Sequence, residues 1–287
     1  MTGKVRNGET GPPLLRPGTD SNEPSGDLGP ADALILSPHL DDAALSCGGW
    51  IHRLADEGRR VVVVTLFTAD PPAEGWLSDL ARDLHQRWEL GQDAVERRRG
   101  EDREALALLG ATLRHLGFLD ALYRRDDDDG EGEGDPLYPT LETLFGPIHR
   151  DDRVLVHRLA RTFSRLPEAD RIVAPLGIGG HVDHRLVREA AVHAFGPRLE
   201  FFEDFPYNRS KRALAKGLRD ALGPMWRWRR RRQRLGRHHI DRKLEAIRCY
   251  RSQLGTAFPD DATLERQVRR ASRFGECLWQ RRGEPAT

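Results

Sequence analysis

Two short segments of this 287-residue chain carry side chains whose types and spacing suit metal-assisted hydrolysis: Pro38-His39-Leu40-Asp41-Asp42 and His181-Val182-Asp183-His184. His39 and Asp42 are three residues apart, as are His181 and His184, which puts two side chains on one side of a turn or first helical turn. Imidazole nitrogen and carboxylate oxygen are ordinary zinc ligands. Three of them suffice at a catalytic site, which keeps one position open for water. Zinc lowers the pKa of such a water to about 7 and polarises the carbonyl under attack. Amide hydrolysis also needs a base to take the water's proton and an acid for the leaving amine. Asp41, adjacent to a ligand, can be the base. His181, oriented by Asp183, can stabilise the oxyanion and act as the acid. Spacing leaves open which of Asp41 and Asp42 binds metal. Taken singly, each string also suits a helix N-terminus capped by an aspartate; their joint presence favours a shared site.

A shared site requires elements that bring the two strings together. Ala33 to Ser37 is a short apolar run ended by Pro38, and Val61 to Phe67 is a β-branched run; both read as buried strands. Further strands are expected near Thr112 to Leu116, Arg171 to Leu176 and Leu199 to Glu203. Helical periodicity covers Ala43 to Glu57, Ala94 to Leu109, Arg153 to Leu166 and His184 to Phe195, and the last third reads as mostly helical. The alternation implies an α/β, Rossmann-like fold, a mainly parallel sheet with helices on both faces. Sites in such sheets form at the carboxyl edge of the strands, where both strings fall.

Bulk properties exclude other classes. The formal net charge of +1 provides no global field for nucleic acid, and no apolar run approaches the roughly 20 residues of a membrane helix. Three cysteines without paired spacing do not form a disulfide framework. With no signal-peptide pattern, a soluble cytoplasmic protein is expected. Residues 1–29 read as a disordered tail and 30–287 as one domain, interrupted by a solvated acidic loop at 126–135. The arginine-rich segment 226–238 reads as a solvated helix face in preference to an anion-binding patch. Gly48-Gly49 suits close helix packing, Gly177 to Gly180 lets backbone approach the metal or substrate, and Cys47 reads as a small buried helix residue. His52, His85, His115, His149, His157, His193, His238 and His239 have no partner spacing and read as structural or surface residues.

The order of motifs, Pro-His-Leu-Asp-Asp after a strand, then Gly48-Gly49, then His-Val-Asp-His opening a helix, resembles the PIG-L/LmbE family of zinc-dependent deacetylases. The resemblance runs over roughly residues 31 to 255, with weaker matching at Glu203 to Tyr207 and Tyr250 to Gln253. It implies removal of an acyl group, expected to be acetyl, from the nitrogen of an N-acetylglucosamine-like conjugate, a small-molecule substrate. By motif position it implies zinc on His39, Asp42 and His184, Asp41 as general base, and His181 with Asp183 as acid and orienting partner; such a histidine–carboxylate site also accepts other divalent ions. Arg98, within Arg98-Arg99-Gly100-Glu101, and Asp120 match substrate-side positions. Ala43 stands where many members carry Glu, and neither the acidic loop nor the arginine-rich segment belongs to the common pattern. Two other functions suit the same residues: an amidase for a larger amide, and a non-catalytic sugar-binding protein of this fold. No sequence feature specifies an oligomeric state.

Overall fold

Every residue of the β-branched run β2 (Val61–Phe67) is buried, so this strand is covered on both faces, as parallel strands between helices must be. The computed structural model describes residues 28–71, 77–87, 94–126, 134–223 and 225–283. The expected tail lies outside the described residues apart from Leu28 and Gly29. So does the acidic loop apart from its ends, where the Asp126 amide donates to the Asp135 carbonyl at 3.0 Å.

Beside β2 runs β1 (Ala31–Ser37), with Ala33 opposite Val61 and Ile35 opposite Val63. With β3 (Thr112–Phe118), β4 (Ala169–Pro175), β5 (Leu199–Phe202), β6 (Trp228–Gln233) and β7 (Glu276–Arg281) they form a seven-stranded sheet. Its order is β3-β2-β1-β4-β5-β7-β6. Strands β1 to β5 are parallel; β7 is antiparallel to β5, and β6 to β7. The order reverses at β1 and β4, so a ligand crevice opens at the carboxyl ends of those strands.

The helices are α1 (Asp42–Asp56), α2 (Asp79–Arg87), α3 (Ala94–Leu108), α4 (Leu141–Leu144), α5 (Arg153–Phe163), α6 (Val182–Phe195), α7 (Lys211–Leu222), α8 (Arg237–Arg248), α9 (Arg251–Ala257) and α10 (Asp261–Ser272). Strand side chains alternate between faces, and the core divides accordingly. Leu34, Leu36, Val62 and Val64 pack with α5 and α6 through Leu159 and Leu186. Ala33, Ile35, Val61 and Val63 pack with α1, α3 and α8 through Ile51, Leu106 and Ala246. No helix among the described residues is long and apolar enough to cross a membrane.

The last third is less helical than its sequence suggests. Arg229 to Arg232 lie on β6, an edge strand paired with β7, and not on a helix face. Its pattern is solvent-exposed from Arg229 to Arg232, so no apolar alternation marks it, and its pairing comes from backbone contacts with a distant partner. Arg230 is held by the buried Glu203, its Nε donating at 2.6 Å and Nη2 at 2.8 Å.

Strand β7 also ties down the middle of α1. Glu276 accepts from the Gly49 amide at 3.1 Å, the Trp50 amide at 2.8 Å and Lys243 Nζ at 2.6 Å. The two glycines are packing positions: a Cβ on Gly49 would lie 2.5 Å from Leu235, and one on Gly48 3.1 Å from the Lys243 stem. Lys243 and Glu276 are 2% and 7% exposed, so neither charge has water to fall back on. Glu276→Ala should therefore cost about 3–5 kcal/mol, because it strands a buried ammonium, whereas the double variant Glu276→Leu, Lys243→Met should cost much less. Urea unfolding of the three proteins measures the difference.

Candidate metal and active site

Both strings emerge at the carboxyl edge. After β1 the chain turns at Pro38 and enters α1 within a few residues. Ser37 organises this turn: its hydroxyl donates to the His39 carbonyl at 2.8 Å and accepts from the Ala43 amide at 3.0 Å. The Asp42 carboxylate accepts from the His39 amide at 2.9 Å. Asp41 occupies the N-cap of α1 yet makes no side-chain capping bond, which leaves its carboxylate unspent on the helix. After β4 the loop runs through Gly177, Gly179 and Gly180, all at positive φ, to His181 at the N-cap of α6. The glycine loop approaches aromatic and backbone groups. A Cβ on Gly179 would lie 2.7 Å from the Tyr207 ring, and one on Gly180 3.1 Å from the Phe145 carbonyl.

The two strings then meet. Asp42 Oδ2 lies 3.2 Å from His39 Nδ1 and 3.3 Å from His184 Nε2. Donor atoms of His39, His181 and His184 all fall within 4.8 Å of one another, and the His181 ring stands edge-on to His39 at 4.7 Å. Each of the imidazoles beside Asp42 turns its other nitrogen to a further carboxylate. His39 Nε2 meets Asp183 Oδ2 at 3.0 Å and Asp120 Oδ2 at 3.5 Å; His184 Nδ1 meets Asp204 Oδ1 at 2.7 Å. Carboxylate-backed imidazoles facing a shared centre are the arrangement that orients and strengthens metal ligands. The donor set of two imidazoles and a carboxylate fits a divalent metal.

The electrostatics agree with that fit. Burial alone would lower His39, but Asp120, Asp183 and Asp42 outweigh it and hold the imidazole well above its ordinary value. Burial also opposes charge on His184, yet Asp42 and Asp204 raise it to about 10. Asp42 is held well below the usual carboxylate range because His184 and His39 overcome its desolvation. A field that favours two imidazolium charges favours a divalent cation in their place. Two groups behave differently. Burial and the neighbouring Asp42 raise Asp41 to about 6, with Arg98 and His39 opposing. Burial and the nearby His39 keep His181 well below its ordinary value. Paired groups with pKa values pushed apart are typical of functional sites.

The structure changes one connection. Asp183 reaches His181 through its backbone amide and not through its carboxylate. That carboxylate instead meets His39, accepts from the Ala121 amide at 3.1 Å, and accepts from Arg124 at 2.6 Å. His181 is fixed through its own Nδ1, which accepts from the Asp183 backbone amide at 3.2 Å. Arg124 passes the network to Asp152 at 2.8 Å, and Asp152 accepts from the Tyr138 hydroxyl at 2.7 Å. Arg98 is near enough to Asp41 for its charge to oppose the rise in that carboxyl's pKa. Its neighbours Arg99 and Glu101 turn elsewhere, to the Thr68 carbonyl at 2.8 Å and the Ser252 hydroxyl at 2.6 Å. Asp120 lies beside His39, its Oδ1 accepting from the Leu122 amide at 3.0 Å. Phe145 packs edge-on to His181 at 5.2 Å, with Tyr207 beyond it at 6.1 Å, and forms an aromatic wall.

Sequence reasoning gave Asp204 no role beyond the weaker match at Glu203 to Tyr207, and missed Arg124, Asp152 and Tyr138. Asp204 was within reach, because it follows β5 at the same carboxyl edge. The others had no signal: an isolated arginine, aspartate or tyrosine becomes a network only through burial.

The PIG-L family model, described as GlcNAc-PI de-N-acetylase, matches residues 34–195. The 2'-N-acetylparomamine deacetylase of Streptomyces fradiae is 38% identical over 200 residues, 66% of this chain and 63% of that protein. A protein of the same name from Niallia circulans is 31% identical over 61% of this chain and 66% of its own length. The chain thus spans just under two thirds of these relatives' length. Among solved structures, the zinc inhibited form of teicoplanin deacetylase superposes with a TM-score of 0.73 at 27% identity, over 88% of this chain and 99% of that one.

Asp204→Asn should keep the fold but weaken divalent-metal affinity about 10- to 100-fold, as loss of a carboxylate behind a histidine ligand does. Competitive titration against a chromophoric chelator reads the change; unchanged affinity would show that Asp204 does not support the site.

Proposed function

The chain belongs to the PIG-L family, and we propose that it is a zinc-dependent hydrolase removing an acetyl group from the nitrogen of an amino-sugar conjugate. The observation that carries this reading is the convergence of His39, Asp42 and His184, with Asp41 and His181 flanking the same point. The named activity of the Streptomyces fradiae and Niallia circulans relatives supports the substrate class.

In this reading His39 Nδ1, Asp42 Oδ2 and His184 Nε2 hold the zinc, which when bound supplies Lewis-acid polarisation of the amide carbonyl and a more acidic water. Asp41 takes the proton of the attacking water. Its raised pKa, about 6, suits a base that must later release that proton near neutral pH. His181 accepts from the Asp183 amide through Nδ1. Its proton therefore sits on Nε2, where a neutral imidazole can donate to the developing oxyanion. This departs from the acid role expected of His181: with burial and His39 holding that imidazole neutral, we assign to Asp41 the proton that goes to the departing amine. Asp183 and Asp204 keep the rings of His39 and His184 from turning. Arg98 and Asp120 are the sugar-side contacts in this assignment, and Phe145 and Tyr207 bound the space beside His181.

Asp41→Asn should keep one equivalent of zinc at this site and lower kcat by roughly two or more powers of ten. His184→Ala should lose that zinc and activity together, since two ligands hold zinc poorly. If Asp41→Asn loses metal while Asp42→Asn retains it, the two carboxylates exchange roles.

Substrate class is tested by offering the zinc-loaded chain 2'-N-acetylparomamine and a matched conjugate with a bulky acyl group. Acetate release with kcat/KM at least tenfold above that for the bulky acid is the expected outcome. Release of only the bulky acid would make the protein an amidase of larger amides. Release of neither would remove the hydrolase reading.

A further inference from the structure

A second group of metal-type donors lies at the other end of α1. His52 and Asp56 are one helical turn apart there, and His238 and His239 open α8, which packs alongside. His52 Nδ1 and His239 Nδ1 are 3.2 Å apart, and His238 Nε2 is 3.3 Å from Asp56 Oδ2. Donor atoms of Asp56, His238 and His239 all lie within 4.8 Å of one another. Ligands bound at 2.0–2.1 Å around a tetrahedral ion sit about 3.3–3.4 Å from each other, so both pairs are already near that separation. His52 is ten residues beyond Asp42, about 15 Å along the helix, so this cluster is separate from the candidate active site.

We propose that His52, Asp56, His238 and His239 form a second divalent-cation site of the zinc class, which clamps α8 to the far end of α1. Asp56, His238 and His239 are the core donors of this site, two imidazoles and a carboxylate within 4.8 Å of one another, and His52, 3.2 Å from His239, stands beside them as the fourth ligand of a closed tetrahedral shell in this proposal. The imidazoles are available as ligands. Burial lowers both His52 and His239, with Arg242 and His238 respectively adding to the effect. The neighbouring cations have partners of their own: Arg242 meets Glu245 at 2.8 Å, and Arg53 donates to the Arg234 carbonyl at 3.0 Å. Gly236 makes room, since a Cβ there would lie 2.9 Å from His238 Cε1. The Asp56 and His238 side chains are 56% and 63% exposed, which gives an ion a way in.

The test is metal stoichiometry of the full-length, untagged chain equilibrated with Zn2+ and freed of excess. The wild type should bind two equivalents, His184→Ala one, His238→Ala one, and the His184→Ala, His238→Ala double variant none. Asp56→Asn, also on the surface, should weaken the second equivalent at least tenfold. With Co2+, the His184→Ala protein should show the visible absorption of a tetrahedral ion, and adding His238→Ala should abolish it. A wild type that binds one equivalent, lost in His184→Ala, would overturn the proposal. So would a second equivalent that survives both His238→Ala and Asp56→Asn. One equivalent that His184→Ala leaves and His238→Ala removes would uphold it while removing the active-site zinc. The readout is independent of hydrolase activity.

Discussion

The site depends on one buried carboxylate, Asp42, standing between two imidazoles at 3.2 and 3.3 Å. His39 and Asp42 come from the turn after β1, and His184 from the first turn of α6 after β4. Those strands are hydrogen-bonded neighbours in parallel register, Ile35 opposite Val173. A parallel sheet places successive carboxyl ends on one edge, and the reversal of strand order between β1 and β4 opens space there. The contact thus follows from topology: residues more than 140 positions apart in the chain meet at 3.0 Å, as His39 and Asp183 do.

Gathering Asp42, Asp183 and Asp204 in a buried pocket is electrostatically costly, and the surroundings are built to offset it. Arg124 sits between Asp152 and Asp183, contacts both within 2.8 Å, and overcomes the desolvation of Asp183. The resulting chain from Tyr138 through Asp152, Arg124 and Asp183 to His39 fixes the angle of the imidazole without touching the reacting centre. Asp204 does the same for His184 from β5, and is itself held by the Ile178 amide at 2.8 Å. Each histidine beside Asp42 is therefore positioned by a separate segment, His39 by the start of α6 and His184 by the residues after β5. Asp41 differs, because Ser37 organises the helix start and leaves that carboxylate available.

The chain beyond β5 completes this frame. Strands β6 and β7 extend the sheet, and Glu276 on β7 reaches the middle of α1 while pairing with Lys243 on α8. The helix that carries Asp42 at its start is therefore held along its length by elements remote in sequence. Asp102 anchors the α3 side in a similar way, accepting from Thr65 Oγ1 at 3.1 Å and the Tyr250 hydroxyl at 2.7 Å and meeting His115 at 3.0 Å.

Apolar periodicity alone located the parallel core, because a strand buried on both faces and a helix packed against it must each show their period. The two polar strings were legible for a related reason: consecutive residues after a strand share one edge, so their meeting needed no knowledge of packing. Edge strand β6 was illegible, since Arg229 to Arg232 owe their conformation to backbone pairing with β7 and carry no apolar pattern. The same limit applies to Asp183: its amide contacts His181, the neighbour its spacing suggested, while its carboxylate is taken by the distant His39 and Arg124. It also applies to His52 and His239, which look isolated along the chain and lie 3.2 Å apart across two helices. Local sequence determines which residues leave a given strand together. Which distant charges they face is decided by the packing of α1, α6 and α8 around the sheet, because a buried polar group takes its partners from whatever the tertiary structure brings within hydrogen-bond reach.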